Sequence, residues 1–173
     1  MDKSSLNIFT DGAISGNGTS NCYAGYGVYI VETGKKISHK ITCYGSCTNQ
    51  IAELRAIKRA VSYSKKFGNG KCVNIYTDSM YAINSLTLWN KRWKQNGWKN
   101  AKGDDVVNRD LIMEIDELIN SCCKCGSTVS FFHVRSHKKE PEKVSGSDCV
   151  GSSWWLWNGN NIADELAVIA KNK

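Results

Sequence analysis

The sequence contains no run of about 18 consecutive apolar residues, which excludes a bilayer-spanning helix. Its start, Met1-Asp-Lys-Ser-Ser, lacks the apolar segment of a secretory signal, so a soluble, intracellular protein of the cytoplasm or nucleus is expected. That compartment argues against a disulfide framework for the eight cysteines, which are expected to be free thiols. Cys122-Cys123-Lys-Cys125 is the one dense cluster; without a second cluster or a clear fourth ligand it is not expected to be a zinc site. Proline is almost absent, Pro141 being the only one.

Basic charge is what the chain has in excess. A net charge of +7 favours a polyanionic partner, because lysine and arginine near phosphates release condensed counterions. At 173 residues, 41% of them hydrophobic, the chain fits a single globular domain spanning 1–173.

Two short apolar runs end on a carboxylate: Leu6-Asn-Ile-Phe-Thr-Asp11-Gly12 and Asn74-Ile-Tyr-Thr-Asp78-Ser79. β-Branched and aromatic residues dominate both, so both are expected to be strands with an acid at the tip. Tips of neighbouring parallel strands open into one crevice, where Asp11 and Asp78 could converge. The plainer account of each is a cap.

After Asp11, 12–21 is expected to form a turn, followed by strands over 23–32 and 36–44. Helical spacing of Ile51, Leu54, Ile57, Ala60 and Val61 predicts a helix from Gln50 to about Phe67, with Glu53 in its first turn. Ala52 and Ala56 would let that helix lie close to the sheet, making Glu53 a third carboxylate at the strand tips. A second helix over 79–88, capped by Ser79, leads into Trp89-Asn-Lys-Arg-Trp93-Lys-Gln-Asn-Gly-Trp98-Lys99, which predicts a basic, Trp-rich flap at 89–105. A helix over 106–122 is expected to bury Val107, Leu111, Ile115, Leu118 and Ile119, and 128–134 to form a fifth strand. The stretch 138–158 is long for a connection and reads as an inserted loop. The last helix, 161–171, would carry Asp164 in its first turn and turn Ile162, Leu166, Ile169 and Ala170 toward the core.

The ordered set Phe9-Thr-Asp11-Gly, Thr48-Asn-Gln-Ile-Ala-Glu53-Leu, Tyr76-Thr-Asp78-Ser, the flap, Val134-Arg-Ser-His137 and Gly159-Asn160-Asn-Ile-Ala-Asp164-Glu-Leu-Ala resembles type I ribonuclease H. The resemblance implies an α/β, ribonuclease H-like fold: a five-stranded mixed sheet flanked by helices, in the order βββαβααβα. It implies an endonuclease that hydrolyses the RNA strand of RNA-DNA hybrids, leaving 5'-phosphate and 3'-hydroxyl ends. Asp11, Glu53, Asp78 and Asp164 would hold two Mg²⁺ ions, with Mn²⁺ a possible substitute; hard cations prefer such oxygen ligands, and a pair suits in-line attack of water. His137 matches the family's mobile histidine, His133 being the competing candidate. Asn17, Asn49 and Gln50 would line the RNA minor groove, Trp89 and Trp93 would meet the DNA strand, and Thr48 with Asn108 would bind a DNA phosphate. Ser46 stands where an arginine often completes that last pocket. The expected partner is an RNA-DNA hybrid, with no membrane and no second protomer.

Readings from other classes remain open on the residues alone. A non-catalytic hybrid-binding module would keep the basic flap, yet four carboxylates would repel its nucleic acid. A thiol-based metal or redox protein would rest on Cys122, Cys123 and Cys125. Within the enzyme class, a ribonuclease H domain serving a reverse transcriptase, or one acting on double-stranded RNA, fits the same motifs.

Overall fold

The two apolar runs that reach an aspartate form the centre of the sheet. In the computed structural model, which describes residues 4–136, 138–146 and 148–173, β1 (Ser5–Ser15) and β4 (Cys72–Thr77) pair in parallel from Ser5 opposite Cys72 to Phe9 opposite Tyr76. β5 (Thr128–His133) adds to β4 in parallel, while β2 (Tyr23–Ile30) and β3 (Lys35–Ile41) extend the other side antiparallel. The order is β3-β2-β1-β4-β5, the expected five-stranded mixed sheet.

Successive side chains of a strand face opposite ways, and β1 uses both faces. Leu6 and Ile8, with Val28 and Ile30 of β2, pack against Leu54, Ile57 and Val61 of α1 (Asn49–Phe67) and Ile112 and Ile115 of α4 (Arg109–Lys124). Phe9 faces the other way. It stacks on Tyr76 at 4.7 Å and meets Trp155 edge-on at 4.9 Å, beneath α5 (Ser153–Lys171). Between α1 and α4 run α2 (Met80–Asn84), a π-helical turn (Ser85–Trp89) and α3 (Asn90–Gln95) in one continuous rod.

Two glycines set how closely the helices sit. A Cβ on Gly12 would lie 2.6 Å from backbone atoms of Ala52 and Glu53, so α1 rests on bare β1 backbone there. Ala52 and Ala56 are fully buried, as their size suggested. A Cβ on Gly27 would lie 2.1 Å from the Ala163 carbonyl, so α5 rests on β2 in the same manner. Gly27 is the residue opposite Asp11 in the β1–β2 register.

Several expectations are corrected. β1 does not stop at Asp11 but continues to Ser15, because β2 goes on pairing with it; what ends near Asp11 is the parallel ladder to β4. Thr48 caps α1, its hydroxyl accepting from the Ile51 N–H at 3.3 Å, which moves Glu53 beyond the first turn and removes the dipole explanation for it. Trp89 and Trp93 continue the preceding helix, so the projecting loop begins only after Gln95. Asn108 has φ 59° and holds α4 back to Arg109, leaving Val107 68% exposed. The inserted loop ends earlier than expected. Ser152 caps α5 by accepting from the Trp155 N–H at 3.1 Å, so the tryptophan run and Gly159-Asn160 are helical and Asp164 lies deep in the helix. α5 buries Ala163, Ala167 and Ala170 and leaves Ile169 54% exposed, since the glycine-surfaced strand admits only small side chains.

Gly27→Ala is expected to force α5 off β2 and to lower unfolding free energy by about 1–3 kcal/mol, the usual range for overpacking. Urea denaturation measures it; an unchanged midpoint would mean that α5 is not held in this contact.

Candidate active site

The helix contact at Gly12 brings Glu53 onto Asp11. Both are buried, at 3% and 5% exposure, and Asp78 at the end of β4 completes a trio whose carboxylate oxygens lie within 4.8 Å of one another. Asp11 Oδ1 accepts from the Gly12 N–H at 2.8 Å. Glu53 Oε2 is buried with no hydrogen-bond partner among the described residues. An unpartnered buried carboxylate oxygen is costly, and three convergent hard oxygen donors are what a divalent cation of the Mg²⁺ type takes.

Burial dominates the electrostatics. It pushes the Asp11 carboxyl up from 3.8 to about 8, helped by the negative charge of Asp78 and then of Asp164. Glu53 is raised well above the usual carboxylate range by burial first, then by Asp11 and Asp78. Without a cation the two acids hold on to a proton; a bound cation would reverse that preference.

Asp164 is close enough to raise Asp11 but stands outside the trio. Its place follows from the Gly27 contact, since α5 touches the sheet at Ala163, the preceding residue. It lines a small cleft with Asn160, one helical turn earlier. Asn160 is 7% exposed and its Oδ1 has no partner among the described residues. Asn160 has no role among the sequence expectations beyond its place in the Gly159–Ala167 motif; its i, i+4 spacing puts it on the helix face of Asp164. His137 lies outside the described residues, and His133 ends β5 with an exposed side chain.

The residues expected to meet nucleic acid fall in two places. Asn17, Thr48, Asn49 and Gln50 gather at the start of α1: the Asn49 N–H donates to Asn17 Oδ1 at 3.0 Å, and the Gly18 N–H donates to the Cys47 carbonyl at 2.8 Å. These bonds satisfy a free helix-end donor and fix the 16–22 turn. The flap carries the others. Trp89 and Trp93 lie 5.9 Å apart, Trp93 and Trp98 pack against the main core, and Trp89 is 37% exposed. Asn108 Nδ2 donates to the Tyr81 hydroxyl at 3.0 Å, and the Tyr81 ring meets Trp89 edge-on. Lys94 pairs with Asp116 and Lys99 with Asp105, whereas Lys91 and Arg92 make no ion pair among the described residues.

A family model for RNase H matches residues 3–171. The chain belongs to the ribonuclease H family. It is 38% identical over 133 residues to Ribonuclease H1 of Rattus norvegicus, covering 77% of this chain and 44% of that protein. To Ribonuclease HI of Haemophilus ducreyi it is 39% identical over 170 residues, covering 97% of this chain and 91% of that one. The chain thus spans less than half the length of the mammalian relative. Among solved structures, LC11-RNase H1 in complex with an RNA/DNA hybrid matches with TM-score 0.62 at 22% identity, covering 96% of each chain. A foamy viral protease-reverse transcriptase in complex with an RNA/DNA hybrid matches with TM-score 0.69 at 19% identity, covering 98% of this chain and 20% of that one. Ribonucleases H generally use divalent metal, and the acidic trio suits it. No helix among the described residues is long and apolar enough to cross a membrane.

The raised acids give a pH dependence of stability. Between about pH 4 and about pH 8 folded Asp11 keeps a proton that the unfolded chain has lost, so this contribution to stability is full below that window and lost as pH rises through it. In EDTA the Tm is expected to fall across the window, and Asp11→Asn to regain at least about 1 kcal/mol at pH 8, roughly 2–4 °C for a domain of this size. Thermal unfolding of both proteins across pH decides it; parallel curves would mean that Asp11 is not strained by burial.

Proposed function

We propose that this chain is an endonuclease that hydrolyses the RNA strand of RNA-DNA hybrids with two Mg²⁺ ions. The observation that carries the reading is the convergence of Asp11, Glu53 and Asp78 within 4.8 Å, at the junction of the sheet and α1, in a chain of this family. Relatives of the same fold described in complex with RNA/DNA hybrids support the substrate.

Asp11, Glu53 and Asp78 would hold one ion and Asp164, with Asp11, the second; when bound, such ions lower the pKa of water and neutralise charge on the leaving oxygen. The remaining work belongs to the chain. Burial strips water from Asp11 and Glu53, so they favour holding a proton until a cation takes its place. Asn17, Asn49 and Gln50 offer amide donors and acceptors beside the acids, the complement of a 2'-hydroxyl, which both donates and accepts. The exposed indole of Trp89, with Arg92 beside it, suits sugar and phosphate of the DNA strand. Thr48 and Asn108 are the further phosphate contacts, and His137 the group that moves a proton or releases product. Hydrolysis by water would leave 5'-phosphate and 3'-hydroxyl ends.

End-labelled RNA is expected to be cut in a hybrid, and not as single strand or as double-stranded RNA. EDTA and Asp11→Asn should each abolish cutting, while hybrid affinity in Asp11→Asn stays close to wild type. Cleavage retained in Asp11→Asn would overturn the site. Salt-sensitive binding without cleavage in wild type would leave a binding module.

A further inference from the structure

The segment joining β5 to α5 and the first turns of α5 enclose two adjoining cavities beside Asp164. The larger, about 300 Å³, is walled by Arg135, Lys138, Pro141, Leu156 and Trp157, and the N-terminal residue of α5, Ser153, is on its rim. The smaller, about 50 Å³, shares Arg135, Lys138 and Trp157 and ends on Asn160 and Asp164. A path therefore runs from an acid of the active site into a room of small-ligand size.

The structure around the walls is held in place. Trp155, 8% exposed, is locked into the Phe9–Tyr76 stack. The ring of Trp154 lies 4.1 Å from the Lys143 ammonium, and its Nε1–H donates to Glu140 at 3.4 Å. The Nε1–H of Trp157 donates to the Lys138 carbonyl at 3.0 Å. Its one polar atom is thus engaged, and what Trp157 offers to both cavities is π surface. Two cations stand beside that surface, and no acid lines the larger cavity among the described residues. The unpartnered Oδ1 of buried Asn160 supplies an unmet acceptor at the inner end.

An aromatic face, two cations and a buried acceptor together match a nucleotide: a base to stack, a phosphate to neutralise, a ribose hydroxyl to donate. Bases paired inside the duplex cannot enter, because both faces are already stacked, and a terminal pair brings a second base that a cavity of about 300 Å³ does not take. We propose that the cavity pair receives one unpaired nucleotide of the RNA strand flanking the hybrid, its base against Trp157 and its phosphate at Arg135 and Lys138. The proposal rests on the hybrid-nuclease reading above, and it makes the inserted segment a reader of hybrid ends and junctions.

The test compares steady-state cleavage of a blunt hybrid with hybrids carrying unpaired ribonucleotides on the 5' or the 3' side of the RNA strand, using wild type, Trp157→Leu and Lys138→Gln. Wild type is expected to show a KM about tenfold lower for one flanked hybrid than for the blunt one, within the range of a single base stack. Both variants should lose that preference while cutting the blunt hybrid as wild type does. Lys138→Gln keeps the backbone carbonyl that anchors Trp157, so it carries the test even where Trp157→Leu fails to fold. Equal KM for blunt and flanked hybrids in wild type, or a preference that survives Lys138→Gln, overturns the proposal while leaving the nuclease intact. Failure of wild type to cut the blunt hybrid overturns the nuclease reading and this proposal with it.

Discussion

Everything at the active site depends on two helices lying against bare backbone on either side of one aspartate. Gly12, next to Asp11 in the chain, lets α1 down until Glu53 reaches the acid; Gly27, across the ladder from Asp11, lets α5 down at Ala163 and so delivers Asp164. Side chains on those glycines would hold the helices off by the thickness of a methyl group. Carboxylates brought this close repel each other, and only tight packing elsewhere keeps them there. The apolar contacts of Leu6, Ile8, Leu54 and Ile57 on one face, and the Phe9–Tyr76–Trp155 stack on the other, supply that packing.

The same geometry links charge to stability. Burial raises the pKa of both Asp11, to about 8, and Glu53, so folding without a cation stores an electrostatic penalty at the site. A divalent ion would relieve it, and part of the energy of binding such an ion would come from that relief. The flap works in the opposite sense: among the described residues Arg92 makes no ion pair and lines a cleft with Trp89 and Trp93, while Lys94 and Lys99 are committed to neighbouring acids.

The strands and the first carboxylates were legible because they rest on local signals: alternating β-branched residues, an acid after each run, small residues on α1. The errors have a common origin in contacts between distant segments. Nothing near Asp11 reveals that β2 keeps β1 extended to Ser15, and nothing near Ile169 reveals that glycines on β2 select the alanine face of α5. The tryptophan run fell inside the expected loop because 138–158 is long for a connection; in the fold Gly159 is the gap that admits the Phe9 ring, and the helix passes straight through. Spacing alone puts Asn160 on the helix face of Asp164, but its weight comes from its burial and its unpartnered Oδ1.

The π-helical turn over Ser85–Trp89 has its own consequence. One surplus residue in a helical turn rotates everything downstream by about 100° relative to a regular helix. The azimuth of Trp89 and Trp93 is therefore set by how the backbone winds and not by residue type. The same residues wound as a regular α-helix would point these indoles along a different bearing, so the aim of this aromatic surface can change with no change in its chemistry.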